Sequence, residues 1–316
     1  MTVLVTGGAG FIGSSLVDRL LALGHHVVVL DNLNDYYSPA IKRANLSQAN
    51  QHPNFTFYEG DILDDTLLHR IFKNHTTEIL IHLAARAGVR ESLKQADLYT
   101  QVNVIGTAKL LDCAKNYGVK KVLNASSSSV YGNNPKVPFS ESDPVDTPIS
   151  PYAATKKSAE LLAHVYHATH GLAIANLRFF TVYGPRQRPE MAIHYFTQLI
   201  DQGKVIPVYN KGLCFRDYTY IDDIVQGILQ VMDHPTIGYD IVNLGGAKTI
   251  STLELIALIE LNLGKKAIID LLPSQSGDVD RTFADVAHAQ TKYGYIPTVE
   301  IAEGISRFVA WYRHSF

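Results

Sequence analysis

Tyr152 and Lys156 stand four residues apart in Ser150-Pro151-Tyr152-Ala153-Ala154-Thr155-Lys156, one turn along a helix and so on one face of it. That spacing could make a base of a phenol. An unperturbed phenol titrates near pKa ~10 and ionises earlier only with help from a neighbouring cation. Twenty-five residues before Tyr152 lies Ser127, inside a run of four serines, Ser126 to Ser129. A hydroxyl there can join a substrate hydroxyl to the phenolate. A tyrosine and a lysine on the surface of one helix would share this spacing, so its context decides.

The same spacing recurs at Tyr117 and Lys121, but Gly118 marks a helix end and Lys121 opens the apolar run Val122-Leu123, which separates the two side chains. Tyr152 instead follows Ser150-Pro151 and opens a stretch rich in Ala, Lys, Glu and Leu, residues that suit a helix entrance and then its interior.

The elements that must position this pair begin at the first residues. Val3-Leu4-Val5 reads as a strand and runs into Gly7, Gly10 and Gly13, with Phe11 and Ile12 between the last two. The first two glycines permit a tight turn and close approach to a pyrophosphate, and the third lets a helix from Phe11 to Leu23 pack on the sheet. The helix N-terminus offers amides and a positive dipole end to phosphates. A second strand, His26 to Leu30, ends at Asp31. An acid there accepts from adenosine ribose hydroxyls and repels a 2′-phosphate, favouring NAD over NADP. Further strands are predicted at 55–58, 79–83, 122–125 and 173–177, with helical stretches at 66–73 and 104–117 between them. This alternation predicts an α/β fold, a Rossmann-type doubly wound parallel sheet. Asn32, then Asp61 and Ile62 after the third strand, and Ala84, Ala85 and Arg86 after the fourth, fall at the carboxyl edge where ligands bind.

The 316 residues are 46 % hydrophobic and 18 % charged, with a formal charge of −2. This describes a soluble globular protein with ample core, no basic footprint for nucleic acid and no uninterrupted apolar run for a membrane span. Two cysteines, Cys113 and Cys214, cannot frame a disulfide scaffold, and a cytoplasmic setting is expected. Among the histidines, His164 and His167 lack acidic or cysteine companions at ligand spacing, so no metal site is expected.

Taken together, the glycines, Asp31, the serine run and Tyr152/Lys156 resemble the NAD-dependent sugar epimerase/dehydratase family, the extended short-chain dehydrogenases/reductases, over essentially the whole chain. The phrases Asp31-Asn32-Leu33-Asn34-Asp35-Tyr36-Tyr37, Ala87-Gly88-Val89-Arg90, Pro138 to Asp146 and Arg178-Phe179-Phe180-Thr181-Val182-Tyr183-Gly184-Pro185 are similar to the branch that epimerises UDP-glucuronate at C4. The resemblance implies a bound NAD regenerated each turnover, with Asn103 among its contacts. It implies that Tyr152 takes the proton from the sugar 4-hydroxyl, that Lys156 holds the nicotinamide ribose and lowers the Tyr152 pKa, and that Ser127 bridges. Relatives that eliminate water carry Asp-Glu directly after the hydroxyl residue, and those that decarboxylate carry a glutamate at the second place. Here Ser128 and Ser129 occupy these places, and the resemblance groups them with Thr181 around a sugar carboxylate.

For the rest of a UDP-sugar the resemblance implies Arg188 and Arg216 at the phosphates, with Arg90 and Arg186 as weaker candidates, and Val208 and Tyr209 beside the uracil. Near the C-terminus Gln275 stands where many relatives have an arginine, so Arg281 is a substitute phosphate contact and Asp278 a ribose or arginine partner. A smaller C-terminal α/β substrate domain is expected from 178–215 and 246–316, with 1–177 and a return segment at 216–245 forming the NAD-binding domain. The helices at 104–117 and 152–170 correspond to those that pair relatives into homodimers. The alternatives are 4-epimerisation of UDP-glucose or a UDP-N-acetylhexosamine, and an NAD-binding module without catalysis, which would be expected to lack Tyr152 or Lys156.

Overall fold

In the computed structural model, residues 1–273, 279 and 281–315 are described. Seven strands form one parallel sheet: β1 (Thr2–Thr6), β2 (His26–Asp31), β3 (Phe55–Glu59), β4 (Ile79–His82), β5 (Lys121–Ser127), β6 (Ala173–Phe179) and, much later in the chain, β10 (Tyr239–Leu244). Their order across the sheet is β10-β6-β5-β4-β1-β2-β3. The direction of winding reverses between β1 and β4, and at that switch point the carboxyl ends of the strands leave a crevice. The fold is thus the Rossmann-type α/β sheet that the alternating pattern predicts.

The strands are apolar on both faces because helices cover both. Val3, Val5, Val27 and Val29 pack towards the helices Phe11–Ala22 and Ile221–Asp233, whereas Leu4, Val28 and Leu30 face Asp65–Asn74 and Gly106–Asn116. Full burial of such a side chain contributes roughly 1.5–3 kcal/mol. The Tyr117/Lys121 pair separates as expected, with Tyr117 at a helix C-terminus, Gly118 at φ +71° and Lys121 opening β5.

Between β6 and β10 the chain adds β7 (Thr181–Tyr183), β8 (Val205–Tyr209) and β9 (Phe215–Tyr220), and after β10 it adds β11 (Thr249–Ser251) and β12 (Ile268–Leu272). β9 lies between a parallel β7 and an antiparallel β11, and β12 pairs parallel with β8. The helix expected at 104–117 differs in detail. A π turn at Gln101–Ile105 precedes the α-helix from Gly106. That wider turn directs the Asn103 amide at the backbone of Arg86, a contact regular α-helical spacing would miss.

Candidate active site

A cleft of about 550 Å³ runs along the carboxyl edge of the sheet from Asp31 to Arg216. At the end near β1 it is shaped by backbone. Gly7 has φ +72°, and a Cβ there would come 2.6 Å from the Ala84 nitrogen. A Cβ on Gly13 would run into the Gly7 carbonyl oxygen, so the helix can sit this close to the turn only with glycine. Gly10 caps that helix without a side-chain bond, and no acid stands in the first turn, leaving amides to receive an anion.

Asp31 ends β2 in a buried position. Its Oδ2 accepts from the Ala9 amide at 3.0 Å and its Oδ1 from the Leu33 amide at 2.9 Å. Burial raises its pKa and those amides oppose the rise. Asn32 donates to Asp61 Oδ2 at 2.8 Å, tying the loop after β2 to the loop after β3. Tyr37 brings a buried hydroxyl without a hydrogen-bond partner to the same wall. The uncapped helix, the glycine cradle, the oriented carboxylate and that orphaned hydroxyl fit a dinucleotide. Gly7, Gly10, Phe11, Ile12, Gly13, Asp31, Asn32, Asp61, Ile62, Ala84, Ala85 and Arg86 all line the cleft. Asn103 does not. It is buried, and its amide accepts from the Arg86 nitrogen at 2.8 Å and donates to the Arg86 carbonyl at 2.9 Å and to Thr155 Oγ1 at 3.0 Å. It therefore shapes the wall from behind and does not face the cofactor.

At the middle of the cleft the helix Pro151–His170 begins with Pro151 at its first position and Ser150 as its cap, accepting from the Ala153 amide at 3.1 Å. Tyr152 and Lys156 share its inner face and meet the end of β5. Lys156 Nζ donates to the Ala125 carbonyl at 2.8 Å, and burial lowers its pKa to about 8, with Glu160 opposing the shift. Burial raises the Tyr152 phenol, while its hydrogen bond with Ser127 and the charge of Arg188 pull it down. The expectation that Lys156 lowers this phenol is corrected in the substrate-free protein, because Lys156 is turned to a carbonyl and Arg188 is the cation acting on Tyr152.

Ser127 Oγ accepts from the Ser129 amide at 3.2 Å and from Ser129 Oγ at 3.0 Å. With both lone pairs engaged, its own proton is directed to Tyr152. Ser128 and Thr181 line the cleft beside it, and their hydroxyls have no partner among the described residues. The only acids lining the cleft among the described residues, Asp31 and Asp61, are at the other end. Ser129 thus does more than expected, because its hydroxyl orients Ser127.

Towards the C-terminal segments Arg188 and Arg216 line the cleft. Arg188 lies 5.5 Å from the Tyr36 ring centre and 3.3 Å from Glu190. Several other expectations are corrected. Val208 is fully buried on the same face of β8 as Ile206, so its side chain enters the core and not the cleft. Tyr209 carries the Arg90 guanidinium 5.0 Å from its ring centre, and neither residue lines the cleft. Arg186 is ion-paired with Asp18 at 2.8 Å and faces away. Arg281 is exposed over the Phe215 ring at 4.7 Å, while its neighbour Thr282 reaches the cleft. Gln275 and Asp278 lie outside the described residues. Among the described residues there is no His, Cys, Asp and Glu cluster able to hold a metal. Sequence reasoning missed Tyr36, Tyr37, Lys42 and Met191 as lining residues. The paired tyrosines after Asp31 were a visible signal, but nothing in their spacing says that their loop folds back over the cleft.

Residues 4–308 match the family model described as GDP-mannose 4,6 dehydratase. A UDP-glucuronate 4-epimerase of Thermodesulfobacterium geofontis is 45% identical over 310 residues, covering 98% of this chain and 95% of the relative. The crystal structure of UDP-glucuronic acid 4-epimerase from Bacillus cereus, in complex with UDP-glucuronic acid and NAD, superposes with a TM-score of 0.95 at 36% identity and full coverage of both chains. A dTDP-glucose 4,6-dehydratase from Streptomyces venezuelae, with NAD bound, gives 0.93 at the same identity, covering 100% of this chain and 98% of that one. Global shape therefore does not separate epimerases from dehydratases, and the side chains of the serine turn must. The chain belongs to the NAD-dependent sugar epimerase/dehydratase family, the extended short-chain dehydrogenases/reductases.

Proposed function

We propose that this protein is an NAD-dependent UDP-glucuronate 4-epimerase, interconverting UDP-glucuronate and UDP-galacturonate. The observation that carries this reading is the hydroxyl-only turn Ser127-Ser128-Ser129 set against Tyr152 and Lys156, with no acid beside it among the described residues lining the cleft. Elimination of water and decarboxylation need acid/base groups that neutral hydroxyls cannot supply. The same hydroxyls can donate to a carboxylate.

NAD would be held by the Gly7–Gly13 turn, Asp31 and Lys156, and when bound it supplies the acceptor and then the donor of the hydride at C4. Tyr152 takes the proton of the 4-hydroxyl through or beside Ser127. It returns that proton to O4 after the keto sugar has turned about its diphosphate linkage. Ser128 and Thr181 donate to the C6 carboxylate. Arg188 and Arg216 face the two phosphates, where a planar guanidinium can bind two oxygens at once. The substrate end is built by 178–215 and 246–316, and the dinucleotide end by 1–177 with 216–245.

Purified protein is expected to convert UDP-glucuronate to UDP-galacturonate without added cofactor, as read by chromatographic separation of the products. Parallel incubation with UDP-glucose should give little product. Turnover of UDP-glucose alone would remove the carboxylate assignment, and folded protein that neither contains nor binds NAD would remove the mechanism.

A homodimer belongs to the same reading. Leu161 and Val165, one turn apart on the Tyr152 helix, are 56% and 52% exposed, an apolar stripe suited to a second copy. Light scattering at micromolar concentration should give twice the mass of one chain, and a monomer mass would count against it. A cytoplasmic setting is also proposed, on the strength of Cys113 and Cys214 being free. No helix among the described residues is long and apolar enough to cross a membrane.

A further inference from the structure

The end of β5 meets the Tyr152 helix at three successive points. The Ala125 carbonyl takes the Lys156 ammonium at 2.8 Å, Ser127 bonds Tyr152, and between them Ser126 Oγ donates to Glu160 Oε1 at 2.6 Å. Residues 152, 156 and 160 recur every four positions and therefore lie along one helix face. The third contact uses the one serine of the run that the proton path leaves without a role. Glu160 is fully buried and ion-paired with Arg178, which is 1% exposed. Arg178 Nε donates to Oε1 and Nη2 to Oε2, each at 2.8 Å, and Nη1 donates to the Tyr131 hydroxyl at 3.0 Å. Tyr131 ends the serine turn and donates in turn to Asn243 Oδ1 on β10 at 2.7 Å. Arg178 itself lies three residues before Thr181, at the point where the chain leaves the large sheet.

We propose that the buried Glu160–Arg178 ion pair is the positioning element of the catalytic dyad, locking the serine turn to the Tyr152 helix and providing the negative charge that keeps Lys156 an ammonium. A structural pair could sit anywhere in the core. This one bonds the residue between Ala125 and Ser127 and is one helical turn from Lys156. The groups facing Lys156 are Tyr152 and Glu160 on its own helix, the Ala125 carbonyl on β5, and His82 on β4. His82 is buried between Thr6 and Thr107, and burial pushes its pKa down to about 3, so it is neutral. Glu160 is thus the anion that opposes the burial of Lys156. Arg178 in turn keeps Glu160 from being a buried carboxylate without a partner.

The inference rests on the epimerase reading for its kinetic arm alone, and a second readout is independent of it. In Glu160→Gln the shape and the Ser126 contact persist, but Arg178 becomes an unpaired buried cation. The expected result is a kcat reduced by about tenfold or more with KM within about twofold. The alkaline limb of the pH profile should move down by about one unit. In NAD-free protein carrying 15N-labelled lysine, the Lys156 titration midpoint should fall likewise. Glu160→Gln/Arg178→Met removes both charges together, and its midpoint and kcat should lie between those of the single variant and the wild type. If the single variant does not fold, the double variant carries the test against the wild type. An unchanged Lys156 midpoint in the folded variants, or a double variant with the wild-type pH profile, overturns the inference and leaves a pair that only packs. If the wild type proves inactive on UDP-sugars, the titration still reads the coupling, so failure of the functional reading is told apart from failure of this one.

Discussion

Tyr152→Phe should lower kcat for C4 epimerisation by about three orders of magnitude, within the range of a lost general acid/base, while NAD content and folding stay near wild type. The substitution removes one oxygen. The ring keeps its edge contact with Tyr99, whose centre is 6.3 Å away, and Tyr99 itself remains anchored by its hydroxyl bond to the Ala87 carbonyl at 2.7 Å. What disappears is the proton acceptor that Ser127, relieved of other donor duty by Ser129, is aimed at. Single-turnover kinetics with the bound cofactor followed near 340 nm separate this from a binding defect. KM should move little, because the carboxylate and phosphate contacts are elsewhere. A Phe variant with wild-type turnover would remove Tyr152 from the proton path.

Lys156→Met is expected to separate activity from stability. The wild-type side chain is buried with its pKa brought down from 10.5 to about 8, so at neutral pH the fold holds a charge that water would hold more cheaply. A shift of that size corresponds to roughly 3 kcal/mol of destabilisation below pH 8. Loss of the bond to the Ala125 carbonyl gives back about 1 kcal/mol. NAD-free Lys156→Met should therefore be about 1–2 kcal/mol more stable than wild type at pH 7, by denaturant or thermal unfolding. Its kcat should fall by about two orders of magnitude.

The sign of the pH dependence follows from linkage. Between pH 8 and 10.5 the unfolded wild type binds a proton that the folded form has lost, so wild-type stability rises with pH across that window. The advantage of the methionine variant should shrink there and vanish above it. Wild-type activity should decline above about pH 8 as the ammonium discharges. A variant less stable than wild type at pH 7 would mean that the lysine stem and its carbonyl bond outweigh the buried charge.

Much of this was legible from short stretches of chain. The glycine spacing, Asp31 at a strand end, and Ser150-Pro151 opening a helix whose next turn carries Lys156 are local signals, because turns, caps and i,i+4 faces depend on neighbours within a few residues. The exclusion of acids from the reacting corner was equally readable, since Ser128 and Ser129 adjoin Ser127 in the chain. Val208 shows where that legibility stopped. Its segment reads as a strand, but which face of β8 meets the core depends on pairing with β12. The face chosen buries Val208. Arg90, Arg186 and Arg281 fail for a related reason. An arginine can reach phosphate, ring or carboxylate, and these three find Tyr209, Asp18 and Phe215.

The amino-acid sequence alone determined the parallel α/β frame, the dinucleotide turn and the identity of the proton-transfer residues, because each is written in periodicity or contiguous spacing. Tertiary structure decided how the four serines divide. Ser127 is turned to Tyr152 by Ser129, Ser128 is left open to the cleft, and Ser126 is bound to Glu160. A strand sends successive side chains to opposite faces, and the turn that follows β5 breaks that alternation. Which serine meets the helix is therefore set by how Pro151–His170 docks on β5, a contact between segments far apart in the chain.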